Sequence, residues 1–116
     1  MNPEYPIFST TLCYLERDDA YLMLHRVKKE DDYNHDKWVG VGGKFEPGED
    51  ALACVMREAR EETGLTMHAP EYRGIVDFYC EPWPAERMYL YTCTDFTGTL
   101  TDCNEGTLEW VPKPEV

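Results

Sequence analysis

The chain has 116 residues, of which 42% are apolar, and it carries a formal net charge of −12. The length fits a single domain, expected over residues 1–116, and the apolar fraction is too high for a disordered chain. So acidic a protein is a poor candidate for binding the backbone of a nucleic-acid polymer, which requires basic surfaces. No apolar stretch approaches the roughly 20 residues that a membrane helix needs, and the N-terminus lacks a signal-peptide pattern. We therefore expect a cytoplasmic protein without a membrane partner, while its oligomeric state stays open.

The first third of the chain predicts a β-hairpin and a short strand. Ile7 to Leu15 has the composition of a strand, and the charged segment Glu16 to Asp19 follows it as a turn. Tyr21 to Arg26 then fits the returning strand of the hairpin. Val27 to Asp36 is a charged loop, and Lys37 to Val41 is apolar enough for another short strand.

A glycine-rich loop and a helix follow. Gly42 to Gly48 contains three glycines and a proline, which predicts a loop. Asp50 to Thr63 is the one convincing helix, and Gly64 stands where a helix would end. Its predicted buried stripe has helical spacing and consists of Leu52, Val55, Met56 and Ala59.

The last third of the chain predicts strands. Tyr72 to Cys80 and Arg87 to Asp95 are strand-like, Phe96 to Thr99 is predicted as a turn, and Leu108 to Val111 as a last short strand. One helix among several strands indicates an α+β fold with the helix packed on a sheet. Residues 110–116 look like a strand leading into a helix that does not follow. We therefore expect either a missing C-terminal helix or another cover for the second face of the sheet.

The five cysteines are odd in number and widely spaced, with no C-x-x-C pair. This spacing argues against a zinc site. We expect reduced, buried thiols, with a reactive thiol among them as the alternative. The cysteines are Cys13, Cys54, Cys80, Cys93 and Cys103.

Three glutamates on the predicted helix suggest chemistry. Glu58, Glu61 and Glu62 stand at positions i, i+3 and i+4, within an arc of about 100°. Like charges at this spacing cost a few tenths of a kcal/mol per pair, which Arg57 can offset by pairing with Glu61. A solvated acidic surface is one interpretation. The preceding glycine loop favours the other, a site for a hard divalent cation such as Mg²⁺, because glycines permit close backbone approach.

The residues around these glutamates resemble the Nudix box, G-x5-E-x7-R-E-U-x-E-E-x-G-U, where U is a bulky aliphatic residue. The matching positions are Gly43, Glu49, Arg57, Glu58, Glu61, Glu62, Gly64 and Leu65. Ala59 is the one departure, since the pattern prefers a larger aliphatic there. Most of the chain, including residues 37–49 and 98–110, is similar to MutT-type 8-oxo-dGTP diphosphatases. The resemblance implies the Nudix fold, a mixed β-sheet sandwiched by helices (α/β/α).

The resemblance also implies an activity and a set of metal ligands. Nudix enzymes hydrolyse a nucleoside diphosphate linked to another group, using Mg²⁺ or Mn²⁺. The implied ligands are Glu58, Glu61, Glu62, the carbonyl of Gly42 or Gly43, and Glu105 from a later loop. One of the glutamates, with Glu58 and Glu61 as the candidates, would also act as the base for water. Arg57 would orient the glutamates, and Glu49 would fix the loop; Glu105 as an ordinary loop acid is the alternative.

Candidate substrate contacts are Thr11, Arg26, Val39, Lys44 and Phe78. Arg26 and Lys44 would contact phosphate, unless they are simply solvated cations. Thr11 and Val39 would line the base pocket, where Val39 replaces an asparagine of the mammalian relatives. Phe78 would stack on the base, as would Trp83 or Trp110, although aromatic side chains more often serve packing.

The expected reaction is hydrolysis of a nucleoside triphosphate to the monophosphate and pyrophosphate. The resemblance favours oxidised nucleotides such as 8-oxo-dGTP, a sanitising role linked to DNA repair. The alternatives are another nucleoside diphosphate derivative, such as ADP-ribose or a dinucleoside polyphosphate, and a non-catalytic nucleotide-binding module.

Overall fold

The structure, a computed structural model, describes residues 7–25, 38–79, 84–101 and 106–115. Within these ranges the chain forms eight strands, one α-helix and a short 3₁₀ turn at Lys113–Glu115. In chain order the elements are β1 (Ile7–Arg17), β2 (Ala20–His25), β3 (Trp38–Val39), α1 (Ala51–Thr63), β4 (Leu65–Met67), β5 (Glu71–Phe78), β6 (Ala85–Cys93), β7 (Phe96–Gly98) and β8 (Thr107–Pro112). No helix in the described part of the chain is long and apolar enough to cross a membrane.

Six of these strands form one mixed sheet. Its order is β3-β2-β1-β6-β5, and β8 also pairs with β2. β1 and β6 run parallel, from Ile7 opposite Ala85 to Leu15 opposite Cys93, and the other pairs are antiparallel. The mixed sheet and the α+β class agree with the predicted Nudix fold.

The glycine loop pairs directly with β1. β1 and β2 pair only next to their turn, where Glu16 is opposite Tyr21. Beyond that point β1 is joined instead by the segment before α1, through isolated bridges at Cys13–Val41 and Thr10–Lys44. The loop is therefore held by backbone hydrogen bonds at the edge of a strand, next to the helix that follows it.

A second, two-stranded sheet corrects the sequence prediction. β4 and β7 pair antiparallel, with Leu65 opposite Gly98 and Met67 opposite Phe96. The predicted turn at Phe96–Thr99 is wrong, and β4 was not predicted at all. Three residues are too few to show the alternation by which a strand is recognised, so only the pairing of the two segments reveals them.

The helix begins and ends close to the predicted residues. Asp50 caps it by accepting a hydrogen bond from the backbone N–H of Ala53 at 2.8 Å. At its end, the N–H of Gly64 donates to the carbonyl oxygen of Arg60 at 2.9 Å. The prediction that Leu52 is buried is wrong, because this residue lies in the first turn of the helix and is 47% exposed.

The core lies between α1 and the sheet. Val55 and Ala59 are the buried helix residues that belong to its main cluster. The remaining members come from the strands and the loop: Cys13, Leu15, Leu22, Val41, Leu65, Met67, Tyr91 and Cys93. This packing fixes the rotation of the helix and so determines which of its polar residues face the glycine loop.

Candidate active site

Two consecutive glycines bring the loop against the helix. The N–H of Gly42 donates to Glu62 Oε1 at 2.8 Å, and the carbonyl oxygen of Gly43 accepts from the N–H of Thr11 at 2.9 Å. A Cβ at Gly42 would overlap the carbonyl oxygen of Thr11, and a Cβ at Gly43 would lie 2.5 Å from the carboxyl carbon of Glu58. Only glycine allows this approach, so the loop and the carboxylates are built to fit each other.

Arg57 connects the loop to the glutamates. Its guanidinium forms a two-point ion pair with Glu49, with N–O distances of 2.6 and 2.9 Å. Its Nη1 donates to Glu58 at 2.8 Å and to Glu61 at 3.0 Å, so the predicted pair with Glu61 is present. Its Nη2 also donates to the carbonyl oxygen of Lys44 at 3.1 Å. One planar side chain therefore orients two carboxylates and part of the loop, as forked charge-assisted bonds can.

The hydrogen bonds of this network depress the pKa of Glu49. The hydrogen bonds from Arg57, and then the backbone N–H of Glu46, lower the pKa of Glu49 to about 2. The same hydrogen bond with Glu49, assisted by Glu58, raises the pKa of Arg57 above its ordinary value. The Glu46 N–H donates to Glu49 Oε1 at 2.8 Å. This bond ties the loop to the ion pair and agrees with the predicted part of Glu49 in fixing the loop.

The three box glutamates differ in environment. The side chain of Glu61 is 59% exposed and that of Glu58 only 18%, whereas Glu62 is 7% exposed as a residue. Although helical spacing places the three within one arc, Glu62 is therefore buried while Glu61 is exposed. Glycines at the start of the loop allow the backbone to cover Glu62, and this cover is a tertiary contact that helical spacing does not reveal.

The chemical types of the donor groups suit a hard divalent cation, but their oxygen atoms do not point to one common place. The groups nearest the loop are carboxylate and carbonyl oxygens, which Mg²⁺ and Mn²⁺ accept. In the ranges that the structure describes, no three acidic, histidine or cysteine side chains are grouped closely enough to hold a metal ion. Glu58 and Glu61 instead point to Arg57, and Glu62 points to Gly42. Because Gly43 has no Cβ, the Glu58 carboxylate lies directly against the backbone of the loop, and carboxylate and backbone oxygens are the donors that a hard cation would take.

The residues predicted to contact substrate differ in their exposure. Lys44 lies on the loop, exposed, with its Nζ 5.1 Å from the centre of the Phe8 ring. Thr11 is buried, and its hydroxyl lies 3.4 Å from the sulfur of Cys54. Val39 is partly buried opposite Leu24. The predicted contact Arg26 and the predicted ligand Glu105 lie outside the described residues.

Two of the candidate base-stacking residues, Phe78 and Trp110, lie within the described residues. Phe78 is 46% exposed on β5, at the edge of the sheet, opposite Glu86. Trp110 stacks on Phe96 at 5.9 Å, and the guanidinium of Arg17 lies 5.2 Å from its ring. Trp110 therefore serves packing between β7 and β8, the alternative given for it. Trp83 lies outside the described residues.

The cysteines within the described ranges are free thiols. Cys13, Cys54 and Cys93 are buried and unbridged, as predicted, whereas Cys80 and Cys103 lie outside those ranges. Burial raises the pKa of Cys13 to about 12 and also raises the pKa values of the other two. These three are therefore poor nucleophiles at neutral pH. Cys54 nevertheless contacts the glycine loop, since its thiol donates to the carbonyl oxygen of Gly43. The spacing of the cysteines in the sequence did not indicate this contact.

Comparison with known proteins identifies the family. The NUDIX domain matches residues 7–116. The chain is 32% identical to the uncharacterized Nudix hydrolase YvcI of Bacillus subtilis, over 86% of this chain and 63% of YvcI. It is 30% identical to the CTP pyrophosphohydrolase of Escherichia coli, over 87% of this chain and 73% of that protein. The chain thus spans a little under two thirds of YvcI.

Solved structures with the same fold agree. The MutT NUDIX hydrolase of Burkholderia pseudomallei superposes with a TM-score of 0.85 at 20% identity, over 95% of this chain and 86% of that one. The mutator MutT protein of Bacillus halodurans superposes with a TM-score of 0.77 at 32% identity, over 93% of this chain and 70% of that one. From the family match and the YvcI and CTP pyrophosphohydrolase relatives together, the chain belongs to the Nudix family.

Proposed function

We propose that this protein is a divalent-metal-dependent hydrolase that cleaves a nucleoside triphosphate to the monophosphate and pyrophosphate. The observation that carries the proposal is the packing of Glu58 against Gly43, with Arg57 holding Glu58 and Glu61 together. A merely solvated acidic face does not require a glycine at a position where a Cβ would strike a carboxylate. It also does not require a partly buried arginine that donates hydrogen bonds to three acids.

The proposed ligands of Mg²⁺ or Mn²⁺ are the carboxylates of Glu58, Glu61 and Glu62 and the carbonyl oxygen of Gly42 or Gly43. When bound, the cation neutralises phosphate charge and lowers the pKa of water. Binding at Glu58 and Glu61 requires these carboxylates to turn from Arg57, whose bonds to Glu49 can keep the guanidinium in place. The protein's net charge of −12 makes such a cation the natural partner for an anionic substrate.

The remaining roles fall to side chains of the loop and helix. An oxygen of Glu58 or Glu61 would accept the proton of the attacking water, whose oxygen forms the new bond to phosphorus as pyrophosphate leaves. Lys44 is exposed on the loop and would contact the substrate phosphates. Phosphoryl chemistry of this kind depends mostly on positioning and electrostatics, which is what the Arg57 network supplies.

Two nucleotides are the main candidate substrates for this activity. The resemblance to MutT-type proteins favours an oxidised nucleotide such as 8-oxo-dGTP, with cleansing of the nucleotide pool as the role. CTP is the second candidate, because a relative named a CTP pyrophosphohydrolase is 30% identical over 87% of this chain. ADP-ribose and dinucleoside polyphosphates are further candidates within the family. A binding module without catalysis is disfavoured by the presence of every box glutamate together with Arg57.

A nucleotide panel tests the proposal. Purified protein would be mixed with 8-oxo-dGTP, dGTP, CTP, ADP-ribose and a dinucleoside polyphosphate, with Mg²⁺, with Mn²⁺ and with EDTA. Chromatography of the nucleotide products and separate assays for pyrophosphate and orthophosphate identify the bond that breaks. We expect metal-dependent release of pyrophosphate from 8-oxo-dGTP or CTP. Tight nucleotide binding with no turnover of any substrate would instead indicate the binding module.

A further inference from the structure

A carboxylate lies between two aromatic residues on the face of the sheet opposite α1. Glu86, on β6, is directly opposite Phe8 on β1 and directly opposite Phe78 on β5. Thr11 contacts Cys54 of the helix, and side chains alternate along a strand. Phe8, three residues before Thr11, therefore points away from α1. Glu86 and Phe78 share its face, because directly paired residues lie on the same side of a sheet.

The Glu86 carboxylate is held in place by Thr10. The Thr10 hydroxyl donates to Glu86 Oε2 at 2.7 Å, and Thr10 is buried, with 6% exposure. Within the part of the chain that the structure describes, this is the one hydrogen bond of the carboxylate. An ionised carboxylate has about four lone-pair sites. Glu86 is therefore oriented by the protein and still has acceptor sites on both oxygens for a ligand.

Phe8 and Phe78 form the two sides of a base slot that has Glu86 as its floor. Neighbouring strands lie about 4.8 Å apart, so the backbones that carry the two phenylalanines are about 10 Å apart. Flat rings pack at about 3.5–4 Å from one another, so a base between two rings needs about 7–8 Å. Side chains stand roughly perpendicular to a sheet. The base slot can therefore take a flat base edge-on, with its polar edge toward Glu86.

The base slot adjoins the residue proposed to contact phosphate. Lys44 forms an isolated bridge with Thr10, and its Nζ lies 5.1 Å from the centre of the Phe8 ring. The ammonium group is therefore at one side of the base slot, where the glycine loop meets β1. A nucleotide whose phosphates contact Lys44 can direct its base toward Glu86.

From this arrangement we infer that Glu86 is a specificity-determining residue that selects a guanine-type base. Guanine and 8-oxoguanine carry two adjacent donors on one edge, N1–H and the 2-amino group, and a carboxylate accepts such a pair. Cytosine instead carries the acceptor N3 beside its amino group, and a carboxylate repels that lone pair. The inference rests on the proposed function and deepens it, because it favours dGTP and 8-oxo-dGTP over CTP.

Binding of nucleoside monophosphates tests the inference without catalysis. Isothermal titration calorimetry in Mg²⁺ would compare dGMP, dCMP and dIMP, which lacks the 2-amino group. We expect wild-type protein to bind dGMP at least roughly tenfold more tightly than dIMP or dCMP, the effect of one hydrogen bond to a charged group. Glu86→Gln replaces one acceptor by an amide donor, so dGMP should bind this variant no more tightly than dIMP. Unchanged dIMP affinity would show that the variant is folded.

Glu109→Gln is the matched control. Glu109 is an exposed acid on β8, and its substitution makes the same change of charge as Glu86→Gln. Loss of a negative charge by itself favours an anionic ligand. We therefore expect Glu109→Gln to bind all three monophosphates at least as tightly as wild type and to keep the preference for dGMP.

Three results would overturn the inference. Wild-type protein could bind no monophosphate, it could bind dGMP no more tightly than dIMP and dCMP, or Glu86→Gln could keep the preference for dGMP. Equal hydrolysis of dGTP and CTP would contradict the inference and leave the proposed function standing. Selective dGMP binding that depends on Glu86, in a protein that hydrolyses no nucleotide, would contradict the proposed function alone.

Discussion

Arg57 and Glu49 form a two-point ion pair between α1 and the loop before it, with N–O distances of 2.6 and 2.9 Å. The pair leaves Nη1 of the arginine directed at Glu58 and Glu61. Because the fork of the guanidinium is planar and rigid, fixing one side of it with Glu49 fixes the direction of the other. The geometry of Glu58 and Glu61 therefore depends on Glu49, which lies eight positions before Arg57 in the chain.

The first prediction concerns replacement of the arginine by lysine. Arg57→Lys keeps the charge but loses the fork, so Glu49, Glu58 and Glu61 can no longer be held together. We expect kcat/KM for the preferred nucleotide to fall by roughly 10- to 100-fold, as for the loss of a residue that supports ligands. The measurement is steady-state hydrolysis with saturating Mg²⁺.

Arg73→Lys provides the control for this substitution. Arg73 pairs with Glu71 at 2.9 Å, and both side chains are more than half exposed. Such a surface pair contributes little, so this variant should keep wild-type activity. Equal losses in the two variants would show that Arg57 has no special part in the site.

The second prediction concerns stability in acid. The folded-state pKa of Glu49 is about 2, below its ordinary value of 4.5. A group with a depressed pKa stabilises the folded state above the unfolded value, and this contribution is lost as pH falls through 4.5 toward 2. Urea unfolding at pH 7, 4 and 3 should therefore show a smaller acid-induced loss of free energy in Glu49→Gln than in wild type. Parallel pH curves for the two proteins would contradict the assigned ion pair.

The third prediction concerns the glycine against Glu58. In Gly43→Ala the added Cβ would lie 2.5 Å from the Glu58 carboxyl carbon, so the carboxylate or the loop must move. We expect a loss of about 1–3 kcal/mol in the free energy of unfolding, as for overpacking. We also expect weaker Mn²⁺ binding, measured by titration.

Gly74→Ala is the control that separates the effect of backbone strain on stability from an effect on the metal site. Gly74 has φ of 139°, and an added Cβ there would meet nothing within 4 Å. Its substitution strains the backbone of β5 without contacting a carboxylate. It should cost stability and leave Mn²⁺ binding intact. If Gly43→Ala bound Mn²⁺ like wild type, the carboxylate beside Gly43 would not be a ligand.

The fourth prediction concerns the exposed glutamate. Glu61→Gln removes a proposed ligand whose side chain is 59% exposed. Its free energy of unfolding should stay within about 0.5 kcal/mol of wild type, because surface pairs contribute little and like-charge repulsion is relieved. Metal-dependent hydrolysis should fall by at least roughly tenfold. Wild-type turnover in this variant would exclude Glu61 as a ligand or base, and Glu71→Gln on the edge strand is the control.

Local patterns predicted the helix well and the small sheet poorly. The cap at Asp50 and the stop at Gly64 can be recognised because each acts on residues a few positions away. β4 and β7 are three residues each and are stabilised by one another, so neither segment alone carries a sufficient signal. The prediction that Leu52 is buried was wrong for a related reason, since helical spacing gives the direction of a side chain but not whether another element covers it.

The candidate site also has some features that the sequence predicts and others that it does not. The types and spacing of Glu58, Glu61, Glu62 and Arg57 could be read directly, because a helix converts sequence separation into direction. The burial of Glu62 under Gly42 and the contact of Cys54 with Gly43 could not. Those contacts form between residues 11 to 20 positions apart that the loop and β1 bring together.

By itself the sequence determined the fold class, the helix and the carboxylates that are the candidate metal ligands, since these follow from short-range periodicity and from residue chemistry. Only the tertiary structure decided which carboxylate is covered, which cysteine supports the loop and how Arg57 divides its hydrogen bonds. The physical reason is that these depend on packing α1 and the glycine loop against β1, and packing joins residues whose separation in the chain is not periodic.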